Sequence, residues 1–207
     1  MDHHRRTLLA LAGATALTAA ESRGQTATRI DLERAAYTVA LTGSGPPPVW
    51  ALAEDGGTKV LAQTSADKTD YRFPLAIFGQ PVAADLDVAV RFKPVSGVVD
   101  RAAGIALRLI DKDNYYVVRA NALENNVRLY RVIKGQRTQF AGADAKVPSG
   151  VWQELRLVAR GTRFEVFLEG KSLYSATDAT MTAQGRVALW TKADSVTRFD
   201  DLRTVAL

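Results

Sequence analysis

Short segments in which apolar and polar residues alternate follow one another along most of the chain. Residues 84–93 show this pattern most clearly, since Leu86, Val88, Val90 and Phe92 alternate with polar or small residues. A period of two places alternate side chains on the same face of a β-strand. We therefore expect a strand there, with these four side chains facing the core.

Twelve segments of this kind predict strands, and helical periodicity is nearly absent beyond the first residues. The predicted strands cover residues 36–41, 50–53, 59–63, 84–93, 104–110, 115–121, 127–134, 137–141, 153–160, 164–169, 185–191 and 196–207. Turn residues separate them, as in the hairpin signal Asp55-Gly56-Gly57. Many short strands at regular spacing predict an all-β sandwich or barrel.

The N-terminus has the organisation of an export signal. Arg5 and Arg6 precede an apolar run over residues 8–20 that ends in small residues and is too short to span a bilayer, which takes about 20 residues. We expect a signal peptide over residues 1–24, of the twin-arginine or the Sec type, and a periplasmic or secreted protein. A linker and first strand follow over 25–47, then one domain over 48–207. A disordered N-terminus on a cytoplasmic protein is the alternative.

The amino-acid composition argues against several kinds of catalytic and metal site. The chain has no cysteine, and its two histidines, His3 and His4, lie in the expected signal peptide. The mature chain then lacks the residues for a Ser-His-Asp or Cys-His nucleophile and for a His/Cys zinc site. The net charge of +5 is spread along the chain, which argues against nucleic-acid binding. Oxygen-only metal binding, carboxylate or Tyr/Lys acid–base chemistry, and binding without catalysis remain.

Polar and aromatic residues concentrate in consecutive predicted strands of the C-terminal half. Aromatic rings stack on sugar rings, while arginine donates to hydroxyl and carboxylate groups. This pattern predicts a glycan groove, and a solvated sheet face is the alternative. For Trp190, the alternative is that its side chain is buried in the core. The candidate ligand-binding residues are Arg108, Tyr115, Tyr116, Arg119, Arg128, Tyr130 and Trp190.

A structural Ca²⁺ is a further candidate. Asp200 and Asp201 are adjacent near the C-terminus, and calcium takes six to eight oxygen ligands, including carboxylates. No spaced Asp/Asn loop accompanies the pair.

Three segments carry a family resemblance: residues 102–137, 150–170 and 185–203. They resemble the concanavalin A-like lectin/glucanase superfamily, and more narrowly the laminin-G-like domains related to the bacterial 3-keto-disaccharide hydrolase domain. The resemblance covers roughly residues 48–207 and implies an antiparallel two-sheet jelly-roll β-sandwich. It constrains function less, because one fold hosts many functions.

The resemblance implies two enzyme activities, and the sequence treats them differently. Glucanase members carry Glu-x-Asp-x-x-Glu on one strand; Glu165 and Glu169 have no acidic residue between them, so that activity does not transfer. A 3-keto-glycoside lyase or hydrolase would need acid–base groups and a divalent metal, with Glu124 or Asp113 as a candidate base. The leading hypothesis is an exported, non-catalytic module that binds carbohydrate or cell-envelope glycan. The keto-sugar enzyme and a structural domain that docks another protein are the alternatives.

Overall fold

A computed structural model describes residues 26–207, so the expected signal peptide lies outside the described part of the chain. The described residues form β-strands and no helix, hence no helix that is long and apolar enough to cross a membrane. The strands are β1 Thr28–Ile30, β2 Tyr37–Gly43, β3 Trp50–Asp55, β4 Thr58–Gln63, β5 Arg72–Phe78, β6 Leu86–Ser96, β7 Ala102–Asp111, β8 Asn114–Asn121, β9 Asn126–Ile133, β10 Gln136–Asp144, β11 Gln153–Arg160, β12 Arg163–Leu168, β13 Lys171–Thr177, β14 Arg186–Trp190 and β15 Val196–Ala206.

These strands form two antiparallel sheets. Sheet A has the order β13-β12-β11-β6-β15-β4-β3, with β1 also paired to β15. Sheet B has the order β10-β9-β8-β7-β14-β5-β2. The predicted fold class, an all-β two-sheet sandwich, is confirmed.

One apolar core fills the space between the sheets. The alternating side chains Leu86, Val88, Val90 and Phe92 are all fully buried there, which confirms the predicted inward face of β6. Sheet B contributes the side chains of its inner face to the same core, among them Tyr116. The pleat of each sheet thus gives one face to this core and leaves a second face outside it.

Three strands are absent from the sequence prediction: β1, β5 and β13. Every residue of β5 is buried, because one face packs in the core and the other belongs to a second apolar cluster. A strand that is buried on both faces appears in the sequence as a continuous apolar run without alternation. Pro74 further weakens the strand signal, because proline is disfavoured inside strands. Ahead of the predicted domain, β2 pairs with β5 along its whole length.

Candidate functional site

The face of sheet B that points away from sheet A carries a second apolar cluster. Its largest members are Phe73, Tyr115, Tyr130 and Trp190, contributed by β5, β8, β9 and β14. Phe73 and Trp190 stack with their ring centroids 5.4 Å apart. The indole Nε1 of Trp190 donates to the Tyr115 hydroxyl over 3.2 Å. We call this side the outer face of sheet B.

Sheet B curls so that its far strands meet across this outer face. Tyr71, just before β5, donates from its hydroxyl to the Gly135 carbonyl (2.9 Å) and accepts from the Arg137 amide (2.9 Å). Gly135 and Arg137 belong to the β9–β10 hairpin, which lies at the opposite edge of the sheet order from β5. The curled hairpin therefore covers part of the outer face, which explains why an apolar cluster there is buried.

Arg137 reaches from β10 across the aromatic cluster. Its guanidinium carbon lies 4.4 Å from the Tyr130 ring centroid, 4.7 Å from that of Phe73 and 5.8 Å from that of Trp190. A cation over aromatic faces is attracted by the ring quadrupoles. The Arg137 side chain thus forms the upper surface of the cluster, and the side chain is partly exposed.

Two further cations and three carboxylates lie beside Arg137. Lys192 places Nζ 3.0 Å from Oδ2 of Asp100 and also pairs with Asp70. Arg119 places Nη2 2.7 Å from Oε2 of Glu124, and its Nη1 lies 3.9 Å from Asp100. Arg119, Asp100 and Lys192 are buried, whereas Asp70 and Glu124 are exposed at the rim. These five residues and Arg137 are called the charged cluster below.

A tight loop holds Asp100 in place. The Asp194 carboxylate accepts hydrogen bonds from the backbone amides of Val98, Val99 and Asp100 over 2.7–3.2 Å. Although burial raises the pKa of Asp194, these backbone donors lower it by more and leave it below its ordinary value. Gly97 begins the loop at φ 141°, a conformation that disfavours residues with a Cβ. The buried carboxylate is therefore positioned by backbone geometry.

Burial has the largest effect on the pKa of two members of the charged cluster, Asp100 and Arg137. It raises the pKa of Asp100, and the nearby Lys192 and Arg119 only partly oppose the rise. Burial lowers the pKa of Arg137; Tyr130 opposes this change, and Arg119 adds to it. Both shifts have the same physical cause, the removal of a charged group from water.

The structure brings five of the seven predicted ligand-binding residues to the outer face of sheet B. Arg119, on β8, belongs to the charged cluster and lies 5.6 Å from the ring centroid of Tyr130 on β9, so the Tyr130 ring contacts two guanidinium groups. Tyr115 and Trp190 are fully buried and form the floor beneath Arg137. Arg128 lies on the same face and pairs with the exposed Asp144 over 2.7 Å.

Tyr116 and Arg108 lie on the opposite side, between the sheets. Tyr116 belongs to the main core. Arg108 has φ 49° and lies where the β7–β8 pairing shifts register, so its side chain does not follow the alternation of β7. Its guanidinium donates to the carbonyls of Ala84, Met181 and Gly161 and lies over the Phe164 ring. The geometry gives both residues structural partners and separates them from the outer face.

The expected calcium ligands have arginine partners. Asp201 lies 3.1 Å from Nε of Arg29 and 3.2 Å from Nε of Arg203, and Asp200 lies 3.8 Å from Arg29. Across residues 26–207, no group of three or more Asp, Glu, His or Cys side chains is placed to hold a metal ion. Asp113, a candidate base, pairs with Lys112 over 2.7 Å.

Sequence reasoning did not select Asp70, Asp100, Arg137 or Lys192 as site residues. Asp70, Asp100 and Lys192 come from loops at one end of the adjacent strands β5, β7 and β14, and Arg137 reaches them from the edge strand β10 because sheet B curls. Lys192 stands two residues after Trp190, so its proximity was visible. No local pattern in the sequence distinguishes Asp100 or Arg137 from other turn and strand residues.

Two surface cavities of the described chain lie elsewhere. One of about 340 Å³ is lined by residues that include Arg29, Leu32 and Asp200. Another, of about 250 Å³, lies over sheet A beside Asp87 and Arg156, which pair with each other at 2.6 Å. In both cavities, an arginine of the chain pairs with a carboxylate of the chain, Arg29 with Asp200 and Arg156 with Asp87. In the charged cluster, by contrast, Arg137 has no ion pair among the described residues.

Comparison with known proteins gives structural neighbours only. No protein-family model matches the sequence, and neither does any curated protein. Among solved structures, the carbohydrate-binding module CBM66 from Bacillus subtilis is similar with a TM-score of 0.67 and 16% identity, over 81% of this chain and 95% of that one. A Bacillus subtilis protein of unknown function with a galectin-like fold gives 0.60 and 10% identity, over 85% and 90%.

A structure described as a native glycosidic hydrolase gives a TM-score of 0.60 at 10% identity, over 87% of this chain and 95% of that one. At such identities the likeness concerns the fold. It agrees with the two-sheet jelly-roll sandwich predicted from the sequence. The narrower resemblance to the 3-keto-disaccharide hydrolase domain has no matching family model.

Proposed function

We propose that the protein is an exported, non-catalytic module that binds carbohydrate or cell-envelope glycan at the outer face of sheet B. The observation that carries the proposal is the charged cluster. Three cations and three carboxylates meet there, and two of the cations, Arg119 and Arg137, contact the Tyr130 ring, on a face that a jelly roll leaves outside its main core.

The chemistry of the cluster suits saccharides. Sugar hydroxyls both donate and accept hydrogen bonds, so a site that offers carboxylates and fixed guanidinium groups side by side can satisfy both roles. Hydrogen bonds to charged groups contribute about 1.5–3 kcal/mol each. The exposed rim carboxylates Asp70 and Glu124 are the acceptors that a ligand would meet first.

The structural neighbours support the same class of ligand. One is named a carbohydrate-binding module and another a glycosidic hydrolase. The second name is also compatible with the enzyme alternative. For this chain, that enzyme would be a lyase or hydrolase of 3-keto-glycosides. The protein-docking alternative has no specific contact in its favour among the described residues.

The proposal is tested with purified protein against a panel of neutral, acidic and 3-keto oligosaccharides. Binding is measured by calorimetric titration, and each mixture is analysed by mass spectrometry for products. We expect saturable binding without turnover. Asp70→Asn and Glu124→Gln should each weaken binding by about 10-fold, because each removes a charged acceptor worth roughly 1.5 kcal/mol at the rim.

Glu165→Gln is the matched control, because Glu165 is also a carboxylate paired with an arginine, Arg163, but on sheet A. It should leave affinity unchanged. Formation of product from a 3-keto sugar would replace the proposal with the enzyme alternative. Absence of binding to every saccharide would leave protein docking as the working hypothesis.

A further inference from the structure

Arg137 is the one cation of the charged cluster that has no anionic partner within the described residues. Its Nη1 is buried and has no hydrogen-bond partner among residues 26–207. The neighbouring carboxylates are already engaged: Asp100 by Lys192 and Arg119, Glu124 by Arg119, and Asp70 by Lys192. The guanidinium packs instead against the rings of Tyr130, Phe73 and Trp190.

Such an arrangement is unfavourable without a ligand. A buried or half-buried charge costs free energy unless it is paired and hydrogen-bonded. Arg119, another cation, lies on the same Tyr130 ring, 5.6 Å from its centroid, while Arg137 lies 4.4 Å from it. Two guanidinium groups on one ring repel each other, and an anion bound beside them would relieve that repulsion.

Sheet A contains the completed version of the same arrangement. Arg156 stacks 4.7 Å over the Phe167 ring, much as Arg137 stacks on Tyr130. Its Nε and Nη2 donate to the two carboxylate oxygens of Asp87 over 2.7 and 2.6 Å. A planar guanidinium matches a carboxylate in this two-point manner. Arg137 has the stacked geometry but lacks the carboxylate.

We infer that the ligand supplies this carboxylate, and that the glycan bound at the charged cluster is therefore acidic, of the uronic-acid class. The inference rests on the proposed function and names the ligand chemistry of the same site. The sugar carboxylate pairs with Arg137, while its hydroxyl groups donate to the rim carboxylates Asp70 and Glu124. A neutral sugar would leave the guanidinium of Arg137 without its partner.

The first test uses the unmodified protein and pairs of ligands that differ only in the group at C6, a carboxylate in one member and an uncharged group in the other. Galacturonate oligomers are compared with their methyl esters, and glucuronate oligomers with the corresponding glucose oligomers, by calorimetric titration. We expect the acids to bind at least 10-fold more tightly. Equal affinity for acid and ester would overturn the inference and leave the proposed function intact, whereas absence of binding to every saccharide would overturn both.

The second test uses variants that remove one guanidinium each. Arg137→Gln should weaken binding of the acid much more than binding of its ester, and so abolish the preference for the acid. Arg156→Gln, which removes a stacked arginine on sheet A, should keep the preference. Circular dichroism and thermal unfolding report whether each variant is folded.

Non-specific attraction of polyanions is the remaining explanation for tight binding of an acidic glycan by a protein with net charge +5. Dextran sulfate serves as the probe for it. If dextran sulfate binds as tightly as the uronate oligomers, and Arg156→Gln weakens uronate binding as much as Arg137→Gln does, the inference is wrong. Selectivity for uronate that only Arg137→Gln removes supports it.

Discussion

Tyr115 and Tyr116 are neighbours in β8, yet their hydroxyl groups serve opposite faces of sheet B. Burial raises the pKa of both to about 12. The Tyr115 hydroxyl lies 2.9 Å from the Thr42 hydroxyl on the outer face. The Tyr116 hydroxyl instead donates to Asp178 over 2.6 Å and accepts from the Met181 amide over 3.0 Å. These two adjacent residues of β8 thus have different roles. Tyr115 lies beneath the candidate site, whereas Tyr116 forms hydrogen bonds that hold residues 178–181.

Asp178 gives a prediction at the residue scale. Burial raises its pKa, but donors including Thr180, Tyr116 and Arg131 lower it to about 2, from an ordinary value of 3.8. A carboxyl whose pKa is lowered on folding stabilises the protein above its unfolded pKa and loses that contribution as pH falls through the folded pKa. We expect about 2 kcal/mol of unfolding free energy to disappear between roughly pH 4 and pH 2.

Denaturant titrations across that pH range check the prediction. Asp178→Asn should lower stability at pH 7 by about the same amount and flatten the acid dependence. Asp144→Asn is the control, since this carboxylate also pairs with an arginine, Arg128, but is highly exposed. Parallel acid curves for the wild type and Asp178→Asn would contradict the assignment.

At the scale of elements, the alternation of side chains predicted where most strands lie but not how they bend. The inward face of β6 could be predicted from the alternation of residues 86–92, because that strand has one buried and one more solvated face. The same rule failed for Arg108, since the irregular pairing of β7 redirects its side chain. It offered no signal for β5, which is buried on both faces.

The candidate site was only partly predictable for a related reason. Residues close in the sequence, such as Arg119 and Tyr130, could be grouped because β8 and β9 form a hairpin. Arg137 and Asp100 join them through the curl of sheet B and the loop before β7, which are long-range features. Tertiary geometry of this kind leaves no periodic pattern in the sequence.

The loop that positions Asp100 gives a prediction at the scale of elements. A Cβ at Gly97 would lie 1.9 Å from the Asp100 carbonyl oxygen, so Gly97→Ala must displace the loop. We expect a loss of about 3 kcal/mol in unfolding free energy, together with weaker saccharide binding, measured by denaturant titration and calorimetry.

Gly57→Ala is the matched control, because Gly57 also has a positive φ, of 83°, but a Cβ there would meet nothing within 4 Å. It should cost about 1 kcal/mol for the backbone conformation alone and leave binding unchanged. If Gly97→Ala cost no more than Gly57→Ala, the loop would not be held as tightly as its hydrogen bonds indicate.

At the scale of the whole molecule, the two outer faces differ in kind. The outer face of sheet A is crossed by ion pairs such as Arg156–Asp87 and Arg203–Glu154, and its stacked Arg91, unpaired among residues 26–207, is exposed to solvent. The outer face of sheet B encloses aromatic rings beneath a charged cluster in which Arg137 is left without an ion-pair partner. This asymmetry is the reason for assigning the ligand to sheet B.

The location of bound saccharide tests this account most directly. Backbone amide chemical shifts of the protein are compared with and without saturating uronate oligomer. We expect the largest changes at residues 98–101, 119–126, 137 and 191–194, and none above background along β11 and β12. Changes concentrated on β11 and β12, with the charged cluster unaffected, would contradict the assignment of the site to sheet B.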